Sequence, residues 1–180
     1  MLAGVIEALR KSSRIDRVAF VSAERDTITA EFPVLPDEDK GLNAALDDAR
    51  RSLMEMGADE LLVLPADLPS VAATDIDFVV ESGRQSGFAL VADAAGRGTN
   101  ALFLRGRAPF RFRFGADSCA AHLEEARRAG CTPTVVDCPG LSFDVDEPED
   151  LDRLLAAAQP RYTFLIAGPG GNAWPLQRAI

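Results

Sequence analysis

The run Glu-Leu-Leu-Val-Leu-Pro-Ala-Asp-Leu-Pro at positions 60–69 constrains this chain more than any other segment. Apolar, strand-forming residues meet a lone carboxylate, Asp67, held between two prolines. The pattern reads as a strand followed by an abrupt turn. In an open α/β sheet, ligands bind where strands end, which puts Asp67 where a metal-bound phosphate would sit. A second acidic cluster, Asp144-Val-Asp-Glu-Pro-Glu-Asp, lies far along the chain. The two together point to a divalent-metal site that handles nucleotide phosphates.

Periodicity places further elements around this strand. Apolar residues at 2, 5, 6 and 9 predict a helix over 2–11. Helices are also expected over 41–56, closed by Gly57, and over 74–85, with Thr74 at the N-cap. Two more are expected over 117–129, stopped by Gly130, and over 147–158, with Pro148 in its first turn. Strands are expected over 17–22, 60–64, 88–93, 99–105 and 132–138, with a short extended piece at 32–36. Strands and helices mostly alternate, which favours an α/β fold, a three-layer domain around a mostly parallel sheet. One domain is expected over 1–158, with 159–180 as a C-terminal extension. The segment from Tyr162 to Trp174 has the pattern of a strand followed by a Gly-rich turn.

Charge narrows the function. The formal net charge is −9, against a general nucleic-acid binder, which needs a basic face. Positive charge is instead local: 94–116 holds Arg97, Arg105, Arg107, Arg111 and Arg113 and no acid. That distribution suits an acidic protein with a small anionic substrate, or equally a solvated loop and strand edge. No apolar run reaches membrane-spanning length, and the first residues lack the regions of a signal peptide. Cys119, Cys131 and Cys138 have no metal-ligand spacing and read as small buried residues. A cytoplasmic protein is expected, with no nucleic-acid or membrane partner.

Each candidate residue has a plainer alternative beside the chemical one. Asp67 suits a metal ligand or a turn aspartate. Asp144 and Asp146 flank Val145, so in an extended segment they face opposite ways. One then suits a ligand, and the other suits the start of the helix near Glu147. The turn Gly96-Arg-Gly-Thr-Asn100 would expose backbone N–H groups and the Thr99 hydroxyl to an anion, or simply join two strands. Gly115 allows close backbone approach, and Ser118 begins a helix, where anions bind or a side chain caps. The single histidine, His122, reads as packing or surface rather than as a base.

Taken in order, Gly41-Leu-Asn-Ala-Ala-Leu, Leu64-Pro-Ala-Asp-Leu-Pro, Gly96-Arg-Gly-Thr-Asn-Ala-Leu, Phe114-Gly-Ala-Asp-Ser and Pro139-Gly-Leu-Ser-Phe-Asp-Val-Asp-Glu-Pro-Glu-Asp-Leu form a recognisable set. From about Leu2 to Leu155 the chain resembles the 2-phospho-L-lactate / phosphoenolpyruvate guanylyltransferase family of coenzyme F420 biosynthesis. The resemblance implies a nucleotide-diphospho-sugar-transferase-like fold, a Rossmann-like three-layer sandwich. It also implies a reaction: GMP passes from GTP to 2-phospho-L-lactate, phosphoenolpyruvate or 3-phosphoglycerate, and pyrophosphate leaves. By the same resemblance, Asp67 and Asp144 match metal-binding acids of catalysis, with Asp146 close by, and Mg²⁺ is the implied cofactor. Thr99, Gly115 and Ser118 match positions that hold the phosphorylated acid, and Asn43 matches a segment near the nucleotide. The family often forms dimers, so a homodimer is among the expected states.

The family opens with a strand and a Lys- or Arg-bearing loop around the triphosphate, whereas this sequence opens in a helix. Two expectations follow. In one, 164–172 supplies the strand and turn, and 164–167 pairs inside the sheet beside 17–22 or 60–64. In the other, the chain binds a nucleotide or phosphoacid without turnover, or serves another small phosphate. A phosphate monoester is already ionised near neutral pH, its second pKa being about 6, so the transfer needs no general base. Positioning and charge neutralisation would carry catalysis.

Overall fold

The computed structural model describes residues 2–22, 32–36, 41–105 and 108–142, and the backbone of 164–168. The predicted helix over 147–158 lies outside the described residues. Four helices and seven strands are present among them: α1 (Leu2–Lys11), β1 (Arg17–Ser22), β2 (Val34–Pro36), α2 (Leu42–Glu55), β3 (Glu60–Pro65), α3 (Ala73–Ser86), β4 (Phe88–Ala92), β5 (Thr99–Arg105), α4 (Ser118–Arg128), β6 (Thr134–Val135) and β7 (Phe164–Gly168).

The strands form one sheet in the order β2-β1-β7-β3-β5-β4-β6. β1 pairs with β2, and β4 with β6, in parallel. β7 runs antiparallel to both β1 and β3, and β5 runs antiparallel to both β3 and β4. Hence β1, β2, β3, β4 and β6 share one direction, and β5 and β7 oppose it. β7 lies between β1 and β3, with Ala167 opposite both Val18 and Leu62. That is the sheet position expected for the 164–167 strand.

Side-chain alternation along the strands builds the two faces. Ala19, Val21, Leu61, Val63, Leu90, Leu102 and Leu104 pack with Leu46 and Leu53 of α2 and with Ala126 of α4. Their neighbours in sequence, Phe20, Leu62, Leu64, Val91, Ala101 and Phe103, pack with Val5 and Leu9 of α1 and with Ile76, Val79 and Val80 of α3. A sheet covered on both faces needs strands that are apolar at every position, which is why Leu61 through Leu64 are all buried. Each such side chain stabilises the fold by about 2 kcal/mol relative to exposure.

Local chemistry sets the ends of α3. Its N-cap is Ala72, not Thr74: the Asp75 carboxylate accepts the Ala72 N–H at 2.9 Å, so the acid three residues on caps the helix instead of a hydroxyl. Gly87 ends it at φ 82°, the left-handed conformation that glycine adopts without strain. Inside α3, Gly83 sits against the Phe103 ring, where a Cβ would come within 2.1 Å of Cδ1. β6 is shorter than the predicted 132–138 strand, because only Thr134 and Val135 pair with β4.

Candidate functional site

Topology brings the chemistry to one edge of the sheet. β3 ends at Pro65, and Asp67 follows at the surface. Its carboxylate has no hydrogen bond or ion pair among the described residues. β5 runs the other way, and its register, Val63 opposite Leu102, continues to put Thr99 beside the end of β3. β4 ends there too, with Ala92 opposite Thr99 across a bulge. The parallel strands therefore end where the antiparallel β5 begins. This is the carboxyl edge at which α/β sheets bind ligands.

The turn between β4 and β5 is built around Asp93. Its carboxylate accepts the Arg97 N–H at 2.8 Å, and its carbonyl accepts the Gly96 N–H at 2.9 Å. Gly98 lies so close that a Cβ would come within 2.5 Å of Asp93 Oδ2. The N–H groups of Gly96 and Arg97 are thus engaged by Asp93, where the sequence suggested that they face an anion. Thr99 remains as the side-chain donor of this turn.

Thr99 meets α4 in a buried polar cluster. The Ser118 hydroxyl donates to Thr99 Oγ1 at 3.2 Å, and His122 Nδ1 lies 3.0 Å from the same oxygen. On the far side of the ring, His122 Nε2 accepts the Arg113 backbone N–H at 2.8 Å. Ser118 and His122 are four residues apart on α4 and so share a face. Thr99, Ser118 and His122 are 6%, 2% and 0% exposed, so each polar atom depends on these partners. Burial, reinforced by the Arg113 guanidinium, pushes the imidazole pKa down to about 4, so the ring is neutral at physiological pH. Phe114 meets the ring edge-on at 4.7 Å and Phe110 stacks at 5.9 Å between centroids.

The approach to α4 is held from α2. Asn43, Asp47 and Arg50 recur at helical spacing and grip the backbone of 108–114. Asn43 donates to the Phe114 carbonyl at 2.9 Å and accepts the Phe114 N–H at 2.7 Å. Asp47 accepts the Phe112 N–H at 3.1 Å. Arg50 donates to the carbonyls of Ala108 and Phe110. Burial raises the Asp47 carboxyl pKa and lowers that of Arg50. The segment then passes through Gly115 at φ 135° and Asp117 at φ 54° into α4. Asp117 occupies the N-cap without a capping bond from its side chain.

The structure brings Thr99 and Ser118 into hydrogen-bond contact, with Gly115 in the turn just before Ser118. Asp67 stands at the same sheet edge. Asn43 places both ends of its amide on Phe114. Asp144 and Asp146 lie outside the described residues, although Asn100 Nδ2 donates to the Leu141 carbonyl at 2.9 Å just before that segment. Among the described residues, no three His, Cys, Asp or Glu side chains cluster as a metal site. The arginine-rich stretch is partly neutralised: Arg105 pairs with Glu60, and Arg113 with Glu125. Arg97 remains exposed on the turn, and Arg107 lies outside the described residues. No helix among the described residues is long and apolar enough to cross a membrane.

Sequence reasoning placed His122 in packing, where it lies, but missed its hydrogen bonds, and it missed Asp47 and Arg50. Two signals were available. Phe110-Arg-Phe-Arg-Phe114 alternates like a strand, and His122 falls one helical turn after Ser118.

Fold and site define a mixed α/β protein with its candidate site at the carboxyl edge of the sheet. A solved structure from Desulfovibrio desulfuricans G20, described as a nucleotide-diphospho-sugar transferase, superposes with a TM-score of 0.59 at 12% identity, covering 75% of this chain and 64% of that one. At that identity the likeness concerns the fold alone. A family model described as "Guanylyl transferase CofC like" matches residues 1–164. The phosphoenolpyruvate guanylyltransferase of Rubrobacter xylanophilus is 39% identical over 167 residues, covering 90% of this chain and 81% of that one. The 2-phospho-L-lactate guanylyltransferase of Methanothermobacter thermautotrophicus is 32% identical over 163 residues, covering 86% and 70%. The 3-phospho-D-glycerate guanylyltransferase of Phenylobacterium zucineum is 35% identical over 142 residues, covering 76% and 63%. The chain belongs to the CofC-like guanylyl transferase family of nucleotidyltransferases.

Proposed function

We propose that this protein transfers GMP from GTP to a phosphorylated three-carbon acid, with release of pyrophosphate, as a step of coenzyme F420 biosynthesis in the cytoplasm. The observation that carries the reading is the buried Thr99–Ser118 hydroxyl pair at the start of α4, on the sheet edge where Asp67 follows β3. Two hydroxyls beside a helix N-terminus suit a small anion with phosphate and carboxylate groups. Gly115 precedes Ser118 in the turn into α4 and lets the backbone approach closely.

Chemistry in this site is positioning plus electrostatics. The acceptor phosphate is its own nucleophile, so no protein base is required and a neutral His122 is no obstacle. Asp67 is a hard oxygen donor at the surface of the ligand-binding edge, which fits Mg²⁺. Asp144 is the proposed second ligand, with Asp146 nearby. Leu141 is tied to Asn100, and three residues of chain reach at most about 11 Å from Leu141 to Asp144. When bound, the metal would supply charge neutralisation at the α-phosphate. Asn43, proposed to lie near the nucleotide, has both ends of its amide on the Phe114 backbone and so acts by holding that segment.

Phosphoenolpyruvate is the first acid to test, because the Rubrobacter relative bears that name. The test is pyrophosphate release with GTP, Mg²⁺ and each of the three acids. Release with one of them supports the proposal. GTP binding without release with any acid refutes it.

A further inference from the structure

Thr99, His122 and the Arg113 backbone form a chain of hydrogen bonds whose direction is set at one end. A backbone N–H can only donate, so His122 Nε2, 2.8 Å from the Arg113 nitrogen, must be the bare nitrogen of the ring. A neutral imidazole then carries its proton on Nδ1. That N–H, 3.0 Å from Thr99 Oγ1, donates to it. Thr99 therefore cannot use its own proton on the ring.

Counting protons gives the consequence. Thr99 and Ser118 have one hydroxyl proton each, and the bond between them uses one. With the ring proton on Nδ1, the other hydroxyl proton is left over and points away from the cluster. With the proton on Nε2, Thr99 would donate to the ring and Ser118 to Thr99. Neither proton would then remain. An anion at this pair needs a donor, and only the first arrangement leaves one.

We propose that His122 is a positioning residue of the acceptor site: locked as the Nδ1–H tautomer by Arg113, it turns the Thr99–Ser118 pair into an outward hydrogen-bond donor for the phosphorylated acid. The inference rests on the acceptor reading of that pair. The surrounding structure keeps the lock in place. Phe110 and Phe114 confine the ring, and Asn43 and Asp47 fix the backbone that carries the Arg113 N–H.

Because the chain has one histidine, ¹⁵N-histidine NMR of the intact protein reads a single ring. A protonated Nδ1 with a bare Nε2 is expected at neutral pH, and the reverse overturns the proposal. Two variants separate the ring's two bonds. His122→Asn keeps a donor near the Nδ1 position facing Thr99, whereas His122→Gln reaches the Nε2 position and keeps only an acceptor for Arg113. His122→Asn is expected to hold the acid KM within about threefold, and His122→Gln to raise it about tenfold, because Thr99 Oγ1 then loses the N–H that turns its own proton outward to the anion. The GTP KM is expected to stay level in both. Equal effects of the two variants, or equal effects on both substrates, overturn the proposal. Calorimetric titration of wild type and both variants with inorganic phosphate keeps the two readings separable. Phosphate binding that weakens in Gln but not in Asn supports the positioning role even if wild type turns over none of the three acids, which would refute only the proposed reaction. No phosphate binding by wild type, or equal weakening in both variants, overturns the positioning role.

Discussion

Replacing His122 by asparagine should flatten the acid limb of the stability curve. The folded protein holds this side chain neutral down to about pH 4, while the unfolded chain protonates it near 6.5. Between those values the unfolded state binds the additional proton, so stability rises with pH and falls on acidification. At 1.36 kcal/mol per pH unit, the span amounts to about 3 kcal/mol. Full stability holds above pH 6.5 and the loss is complete below about 4. Protonation is costly here for a structural reason. A second N–H on the ring would face the Arg113 N–H at Nε2, and the positive charge would sit fully buried near the Arg113 guanidinium. Glu125, paired with Arg113 at 3.2 Å, softens that repulsion without reaching the ring nitrogens. Against a typical domain stability of about 5–15 kcal/mol, the effect is readily measured. The assay is urea unfolding followed by far-ultraviolet circular dichroism, at intervals between pH 4 and 7.5, on wild type and His122→Asn. Carboxylates that titrate in this window do so in both proteins, so the difference between the two curves isolates the histidine. That difference should shrink by about 1.4 kcal/mol per unit of acidification across the middle of the window. Parallel curves for the two proteins would refute the assignment of a buried, neutral, hydrogen-bonded ring.

Three further outcomes are expected. Asp67→Asn should abolish metal-dependent pyrophosphate release with the circular dichroism spectrum and Tm unchanged, since this carboxylate is exposed and has no partner among the described residues; near-normal activity would remove it from the mechanism. Ser118→Ala should raise the acid KM by about tenfold while leaving the GTP KM within twofold, because Thr99 loses the hydroxyl that helps hold its own proton toward the acid, and an equal rise in both would contradict an acceptor role. Gly83→Ala should destabilise the fold by about 1–3 kcal/mol even though alanine is the better helix former, because its methyl group would overlap the Phe103 ring; an unchanged or raised Tm would show that α3 can shift away from β5.

The legible parts of the fold were those with local causes. The helix over 2–11 and the strands over 17–22 and 99–105 emerge with the predicted bounds. In α1 the apolar spacing matches the buried face, and the two strands are apolar runs buried on both sides of the sheet. The cap of α3 was misplaced because Thr74 matches the local preference, while the Asp75 carboxylate satisfies the Ala72 N–H from inside the helix. The segment 132–138 has strand composition along its whole length, but pairing with β4 extends over two residues only. His122 packs as its sequence suggests, but its hydrogen bonds were hidden for a similar reason. A lone histidine on a helix has no distinctive neighbours in sequence, and its partners Thr99 and Arg113 come from other elements.

Sequence alone determined the alternation of strands and helices, the strand that leads to Asp67, and the order of motifs that places this chain among the CofC-like guanylyl transferases. Those features depend on residues close together in the chain or on their linear order. Tertiary structure decided that β7 enters the sheet antiparallel between β1 and β3, and that α2 clamps the approach to α4. It also decided which ring nitrogen of His122 carries the proton. Each of these depends on a hydrogen bond between groups on different elements of the fold, and no local pattern records which donor will meet which acceptor.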